Sequence, residues 1–364
     1  MTMHFYFARR FATVFLGLFT VFVLLMALID LVEQVRRFSA DTSFSEIVGL
    51  TLLNAPQGIY NVMPLVMILA TVSLFLNLAR SSELVVARAV GRSGLRTLMA
   101  PVIVSLLIGV LTVGVLNPLV AATSKRYEIL YERYRSGGAD VLSLSSEGLW
   151  LRQGDRDGQT VIRANSANAN GTRLQGVTFL TFAPDGTPQR RIEAQRATLA
   201  DGGWDLEDAK IWDFSSGQNP ESHVVRDPLI RVATSLTQDR IRDSFGVPST
   251  ISIWALSDYI AQLEEAGFSA RRHLVWLHME LARPLFLTAM VLISSAFTMR
   301  HARFGRTGIA VLSAVLLGFT LYYIRNFSQI LGENGQIPIL LAAWAPPIAS
   351  VMLALGLLLH MEDG

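Results

Sequence analysis

"ARSSELVVARAVGRSG" (residues 79–94) stands between two long uncharged runs, Ile47–Ala79 and Thr97–Ser124. It carries three arginines, Arg80, Arg88 and Arg92, against one acid, Glu83, and is only just long enough to turn the chain around. Apolar runs on both sides of so short a charged turn make it a loop between two membrane spans. Crossing the hydrocarbon core takes about 20 apolar residues. Further charge-free stretches of that kind occur at Phe11–Ile29, Thr307–Ile324 and Asn334–Leu359. A sixth, Pro284–Met299, is short unless His273–Arg283 is added to it. The chain of 364 residues is 51% hydrophobic and 16% charged, which is membrane rather than soluble composition. Six spans are expected. The run from Ile47 contains Pro56, Gly58 and Pro64 and reads as an interfacial or tilted piece followed by the second span.

Arginine placement orients the spans. Arg80, Arg88, Arg92 and Arg96 follow span two, and "RHARFGR" (300–306) follows span four. With Arg9 and Arg10 they put both termini and these loops in the cytoplasm. Phe11–Ile29 is longer than a signal-peptide core and lacks a small-residue cleavage site, so it is expected to stay as an anchor. Arg36 and Arg37 run against the trend, because they follow span one on the translocated side. There are no cysteines, hence no disulfides or thiolate metal sites.

The organisation expected is 1–124 for spans one to three with a loop helix at about 80–92, 125–273 for an exported domain, and 274–364 for spans four to six. In the exported segment, turn signals recur at "DRDG" (155–158), "NANG" (168–171), "APDGTP" (183–188), "ADGG" (200–203) and "SSGQNP" (215–220). Strand-like runs lie between them. "GVTFLTF" (176–182) is apolar on both faces, while "RRIEAQRATL" (190–199) and "WDLEDAKIW" (204–212) read as surface strands. An all-β sandwich or jelly roll is expected. A helix over "SIWALSDYIAQLEEAG" (252–267), capped by Ser252 and stopped at Gly267, leads back to the membrane.

Signatures of catalysis are missing: no phosphate-binding G-x-x-x-x-G-K-[ST], no H-E-x-x-H, no G-x-S-x-G and no G-x-G-x-x-G. His273 and His278 are five apart, the wrong helical spacing for a shared metal, and read as interfacial. Two readings of Glu83 stand. As a first-turn acid of a helix starting at Ser81 or Ser82, it favours the positive end of the helix dipole and can pair with Arg80. As a docking residue, it shares a smooth stripe with Ala87 and Val90 while Arg88 lies around the helix, and it would fit a cleft that supplies an arginine. Arg36 and Arg37 are either snorkelling anchors, with Glu33 pairing Arg37, or guanidinium forks for phosphate at headgroup depth. Glu280 and Arg283 form an i,i+3 pair at the start of span four, where charge is costly. Arg325, at the outer end of span five, is an anion contact or an interface anchor.

The chain resembles the lipopolysaccharide-export permeases of the LptF/LptG family. The resemblance is carried by "LVEQVRRF" (31–38), "MPLVMILATVSLFLNLARSSELVVARAVG" (63–91), "EGLWLR" (147–152), "LSDYIAQLEEAG" (256–267), "ELARPL" (280–285) and "GFTLYY" (318–323). "LVEQVRR" looks more like the LptG branch. The resemblance implies a six-span, non-enzymatic transport subunit of the bacterial inner membrane with an exported β-jelly-roll-like domain. It implies a cytoplasmic ABC ATPase dimer that binds the ATP, a homologous LptF-like permease, and LptC- and LptA-like jelly-roll bridge proteins. Lipopolysaccharide, taken from the outer leaflet among other membrane lipid, is the implied cargo; neither nucleic acid nor a cofactor of the chain's own is implied. Glu83 matches the coupling-helix glutamate, with Ser82, Leu84, Ala87 and Arg88 around it. Arg36 and Arg37 match basic positions near the lipid cavity, and Arg325 is a further candidate contact. Asp30 departs from relatives that can carry lysine there. A lipoprotein-releasing or mechanotransmission permease is the competing transport reading, but its domain follows one span rather than three. A receptor or scaffold that binds outside without pumping is the reading from another class.

Overall fold

The computed structural model describes residues 2–38, 43–84, 89, 94–136, 143–145, 148–155, 158–168, 171–200, 202–214, 221, 224–234, 247–265, 269–299 and 307–362. They fall into two units. The first comprises Met1–Tyr131, Ser249–Trp254 and Arg271–Gly364, and the second Glu132–Pro248 and Ala255–Ala270.

Apolar sequence and few helix breakers make the first unit helical. Helix α1 (Thr2–Arg37) ends on Arg36 and Arg37, which suit the negative end of its dipole. Ser43 starts α2 (Phe44–Arg80) with a capping box: its side chain accepts from Glu46 N, and its own N–H donates to the Glu46 carboxylate at 2.8 Å. The break expected near Pro56 and Pro64 is not there; α2 is one helix of 37 residues with both prolines inside. At 1.5 Å per residue it is far longer than the roughly 30 Å hydrocarbon core. Its middle is buried in the bundle by Met63, Val66, Met67, Leu74, Phe75 and Leu78. With Ile47 and Leu50 buried before Pro56 as well, packing on both sides of the prolines outweighs the hydrogen bonds they remove.

Span three is α3 (Gly94–Leu111), a π-helical turn (Thr112–Leu116), and α4 (Asn117–Ser136), which continues past Ser124. Span four, short in sequence unless His273–Arg283 is added, is a bent pair of helices. Helix α6 (Arg271–Leu281) and α7 (Arg283–Thr298) meet at 47°. Pro284 in the first turn of α7 cannot donate back to α6, which ends the earlier helix there. Helices α8 (Thr307–Glu333) and α9 (Ile339–Glu362) complete the unit. Among the described residues, five helices are long and apolar enough to cross a membrane, and the bent pair, taken as one span, makes six.

Helix α7 is the centre of the bundle, buried almost throughout. Its hydroxyls are satisfied by the preceding turn: Thr288 donates to Pro284 O at 2.9 Å and Ser294 to Met290 O at 2.7 Å. Leu16, Leu24 and Leu28 on α1 and Leu312, Leu316 and Phe327 on α8 face outward, the surface of a helix bundle solvated by lipid. Gly109 brings α3 onto the bend: a Cβ there would lie 2.5 Å from Pro284 Cα and 2.9 Å from its Cβ. Backbone cannot yield as a side chain can, so Gly109→Ala should destabilise by about 1–3 kcal/mol. A thermal unfolding midpoint unchanged in detergent would show that the two helices are not packed this closely.

Among the described residues the second unit holds seven strands: β1 (Ser143–Ser145), β2 (Gly148–Asp155), β3 (Gly158–Ala167), β4 (Arg173–Phe182), β5 (Pro188–Ala200), β6 (Gly203–Asp213) and β7 (Val225–Ala233). Each pairs antiparallel with the next, in the order β1 to β7. Turn signals fall between strands as read, and residues 156–157, 169–170, 201 and 215–220 of them lie outside the described residues. In "APDGTP", Gly186 takes φ +83° and the Asp185 carboxylate accepts from Thr187 N–H at 3.0 Å. One face of the sheet is a buried apolar row, with Ile162 opposite Phe179 and Phe179 opposite Ile192. β5 and β6 are therefore more than surface strands, burying Ile192, Ala197, Trp204 and Leu206. Their charges pair across the other face, Arg196 with Glu207 at 2.8 Å. Helix α5 (Ile253–Glu265) follows, with Ser252 Oγ accepting from Trp254 N–H at 3.2 Å as its cap. Gly267 lies outside the described residues.

Candidate functional site

The loop after α2 is built by the end of that helix. Ser81 N–H still bonds to Asn77 O at 3.0 Å, and Ser82 then takes φ +59°, a left-handed conformation that turns the chain. Glu83 and Leu84 are again helical. Leu84 is buried in the bundle core and anchors the turn. Residues 85–88 and 90–93 lie outside the described residues, and Ala87, Arg88 and Val90 with them.

Glu83 has a partner that sequence spacing did not suggest. Arg10 Nη1, on α1, donates to Glu83 Oε1 at 2.6 Å. Tyr6 Oη donates to Oε2 at 2.9 Å, and Ser81 Oγ to Oε1 at 2.8 Å. Arg10 also bonds Tyr6 and lies over its ring. Partial burial works against the carboxylate's charge, but the hydrogen bonds from Arg10, Ser81 and Tyr6 outweigh it and hold Glu83 below the usual glutamate range. Arg80 is exposed, and the ion pair goes to Arg10 instead. Arg10 and Tyr6 are i,i+4 on α1, one helical turn apart, and form a two-pronged clamp. The acid is charged, oriented, and still about a third exposed.

At the other end of α1, Arg36 and Arg37 are both exposed. Arg37 pairs with Glu33, as the local spacing allowed, whereas Arg36 makes no ion pair among the described residues. Behind them Gln34 is buried and donates to Tyr127 Oη on α4 at 2.7 Å. Asp30 is tied to α2 by Asn54 Nδ2 at 2.7 Å. Its Oδ1 thus faces the bundle, on a different side of α1 from Arg36, and its Oδ2 is buried without a hydrogen-bond partner.

Arg325 is not at an open rim. It is 6% exposed, with Nη2 donating to Met279 O at 3.4 Å and the guanidinium over the Phe286 ring. It joins the buried group at the bend of span four. Glu280 is 0% exposed and Arg283 7%. They form a two-pronged pair at 2.9 and 2.6 Å, and Tyr60 Oη donates to Glu280 Oε2. The i,i+3 pairing was legible in sequence; Tyr60, from α2, and Arg325 were not. The structure does not bring Arg325 together with Arg36 and Arg37. Among the described residues no three His, Asp or Glu side chains gather to hold a metal.

The family model described as "Lipopolysaccharide export system permease LptF/LptG" matches residues 5–360. The chain is similar to the lipopolysaccharide export system permease protein LptG of Escherichia coli K12, at 25% identity over 359 residues, covering 96% of this chain and 95% of that protein. It is also similar to the LptG of Haemophilus influenzae, at 25% over 350 residues and 93% of each. A bundle of apolar helices with an antiparallel sheet inserted after span three, matched from one end to the other, places the chain in the LptF/LptG family of lipopolysaccharide export permeases.

Proposed function

We propose that this chain is the membrane subunit through which a cytoplasmic ABC ATPase dimer drives lipopolysaccharide out of the outer leaflet of the inner membrane, and that its β domain receives the lipid for a jelly-roll bridge. A homologous LptF-like permease completes the membrane part, the termini are cytoplasmic and the β domain is periplasmic. The observation that carries the reading is the clamped Glu83. A chain with no nucleotide-binding motif needs a docking feature for a motor. Here the loop between spans two and three offers an ionised acid, oriented by Arg10 and Tyr6 and fixed to the core through Leu84. An arginine of the ATPase would share or take over this carboxylate. Co-purification in mild detergent tests it: an ABC ATPase and a second six-span permease should accompany the wild-type chain, and their absence would favour a receptor or scaffold. The chain's lack of cysteine makes orientation testable as well. A cysteine at Asp185 should react with an impermeant maleimide from outside, and one at Ala89 should not.

Arg36 and Arg37 would hold headgroup phosphate. A charge-assisted hydrogen bond contributes about 1.5–3 kcal/mol before solvent screening. Arg37 already serves Glu33, so Arg36→Ala should lower crosslinking of lipopolysaccharide to the complex by roughly tenfold, and Arg37→Ala by less. Equal crosslinking in both variants and wild type would make the pair interface anchors. Arg325 can serve as an anion contact only if α8 separates from α6 and α7.

A further inference from the structure

Four side chains form a line of hydrogen bonds that the lipid and ATPase sites do not use. At one end is the buried Glu280–Arg283 pair at the bend between α6 and α7. Tyr60 Oη donates to Glu280, and Asn117 Nδ2 donates to Tyr60 Oη at 3.4 Å. Asn117 Oδ1 in turn accepts from Ile253 N–H, the first residue of α5, at 2.9 Å. Beside this contact Trp254 Nε1 donates to Gly114 O at 3.2 Å. Gly114 is inside the π-helical turn, whose closing bond runs from Asn117 N–H to Thr112 O. A π turn rearranges the usual backbone bonds and is frequent at functional sites. Here it presents one carbonyl and one asparagine to the start of α5.

The line has only one consistent direction. Ile253 N–H can only donate, so the Asn117 amide must turn its oxygen toward it and its NH2 toward Tyr60. Tyr60 Oη, accepting from that NH2, is left with its proton for the carboxylate of Glu280. Every donor thus points toward the anion, an arrangement in which each bond polarises the next. Asn117 is itself buried, so a flipped amide would set two donors against each other without water to relieve them.

We infer that Asn117 is a positioning residue for transport: through Tyr60 it senses whether the bend of span four is closed on Glu280, and through Ile253 it sets the seat of α5, the helix that joins the β domain to the membrane unit. This rests on the reading of the chain as an ATP-driven lipid exporter. The seat lies in the first unit, and from Ala255 onward α5 continues into the second. A rearrangement at the bend that withdraws Tyr60 then loosens the Asn117 amide, and with it the hydrogen bond that seats the first residue of α5. The Asn117–Tyr60 link is the longest in the line, and it is where the line opens first.

Hydrogen exchange in the full complex, in nanodiscs, tests this without requiring ATP or lipopolysaccharide. Tyr60→Phe removes one hydroxyl in α2 and leaves the Asn117–Ile253 bond in place. It should nevertheless speed amide exchange at Ile253–Leu256 about fivefold, the loss expected for one hydrogen bond. Asn117→Leu should do at least as much, and the double variant no more than Asn117→Leu, because the two act in series. Unchanged exchange in Tyr60→Phe, or effects that multiply in the double variant, would overturn the relay. Tyr60→Phe decides alone if Asn117→Leu fails to insert. In proteoliposomes, ATP-driven delivery of lipopolysaccharide to the β domain should fall in Tyr60→Phe and Asn117→Leu with ATP hydrolysis retained, and recover in part in Asn117→Gln. Full delivery in Tyr60→Phe would reduce the line to packing. A wild-type complex that delivers no lipid counts against the proposed function, and the exchange result still decides the relay.

Discussion

Arg283→Ala is expected to destabilise the helical unit by about 3–5 kcal/mol, the cost of breaking a buried ion pair from one side. Glu280 would be left fully buried with only the Tyr60 hydroxyl as donor, and the guanidinium over the Tyr60 ring would be replaced by a void. Glu280→Ala should be at least as severe, since Arg283 and Arg325 would then share the interior without a carboxylate. Replacing both members, as in Glu280→Gln with Arg283→Met, should recover much of the loss, because no buried charge remains unpaired within the pair. Unfolding midpoints of the four proteins in one detergent measure the coupling. If the double variant is as unstable as the sum of the singles, the pair is not the reason for the loss and the bend is held by its packing.

The second large effect concerns the loop. Against a docked ATPase arginine, losing the Glu83 carboxylate should cost on the order of 2–5 kcal/mol of association, since the partner charge stays behind in the interface. Within the isolated chain, the Arg10–Glu83 pair is about a third exposed on both sides, and such a pair contributes only about 0.2–1 kcal/mol to folding. Glu83→Ala should therefore release or uncouple the ATPase while the permease inserts and unfolds nearly as before. Glu83→Arg should be worse, because it meets Arg10 inside the chain and an arginine outside it. Arg10→Ala removes the clamp but keeps the acid, so it should weaken coupling less than Glu83→Ala. Retention of the ATPase and of transport in Glu83→Arg would reduce Glu83 to a first-turn residue.

The features legible in sequence were those set by local pattern. Apolar run length located the spans, and even the broken fourth span showed as a short core preceded by mixed sequence. Pro-Asp-Gly and Asn-x-Asn-Gly clusters marked turns because they act within four residues. The i,i+3 Glu280–Arg283 pair and the i,i+4 Glu33–Arg37 pair were visible for the same reason. The prolines of α2 misled, because their local cost is set against packing along a 37-residue helix that no window of sequence shows. Arg10 was counted only as a topology signal. Its role as clamp depends on α1 and α2 lying side by side, which joins residues 73 positions apart. Tyr60 reaches Glu280 across 220 positions, and the π turn carried no motif. Arg325 was open between contact and anchor, since a charged residue directly after an apolar run reads alike whether it faces lipid or the bundle.

Under the proposed function, ATP hydrolysis by a docked partner moves lipopolysaccharide onto the β domain of this chain. The direct measurement places a photo-crosslinking residue at Leu180 on β4, in proteoliposomes holding the co-purified complex and lipopolysaccharide. The expected result is an adduct that accumulates with ATP, is absent with a non-hydrolysable analogue, and is lost in Glu83→Arg. An adduct that forms equally without nucleotide, or none at all from a complex that hydrolyses ATP, would contradict it.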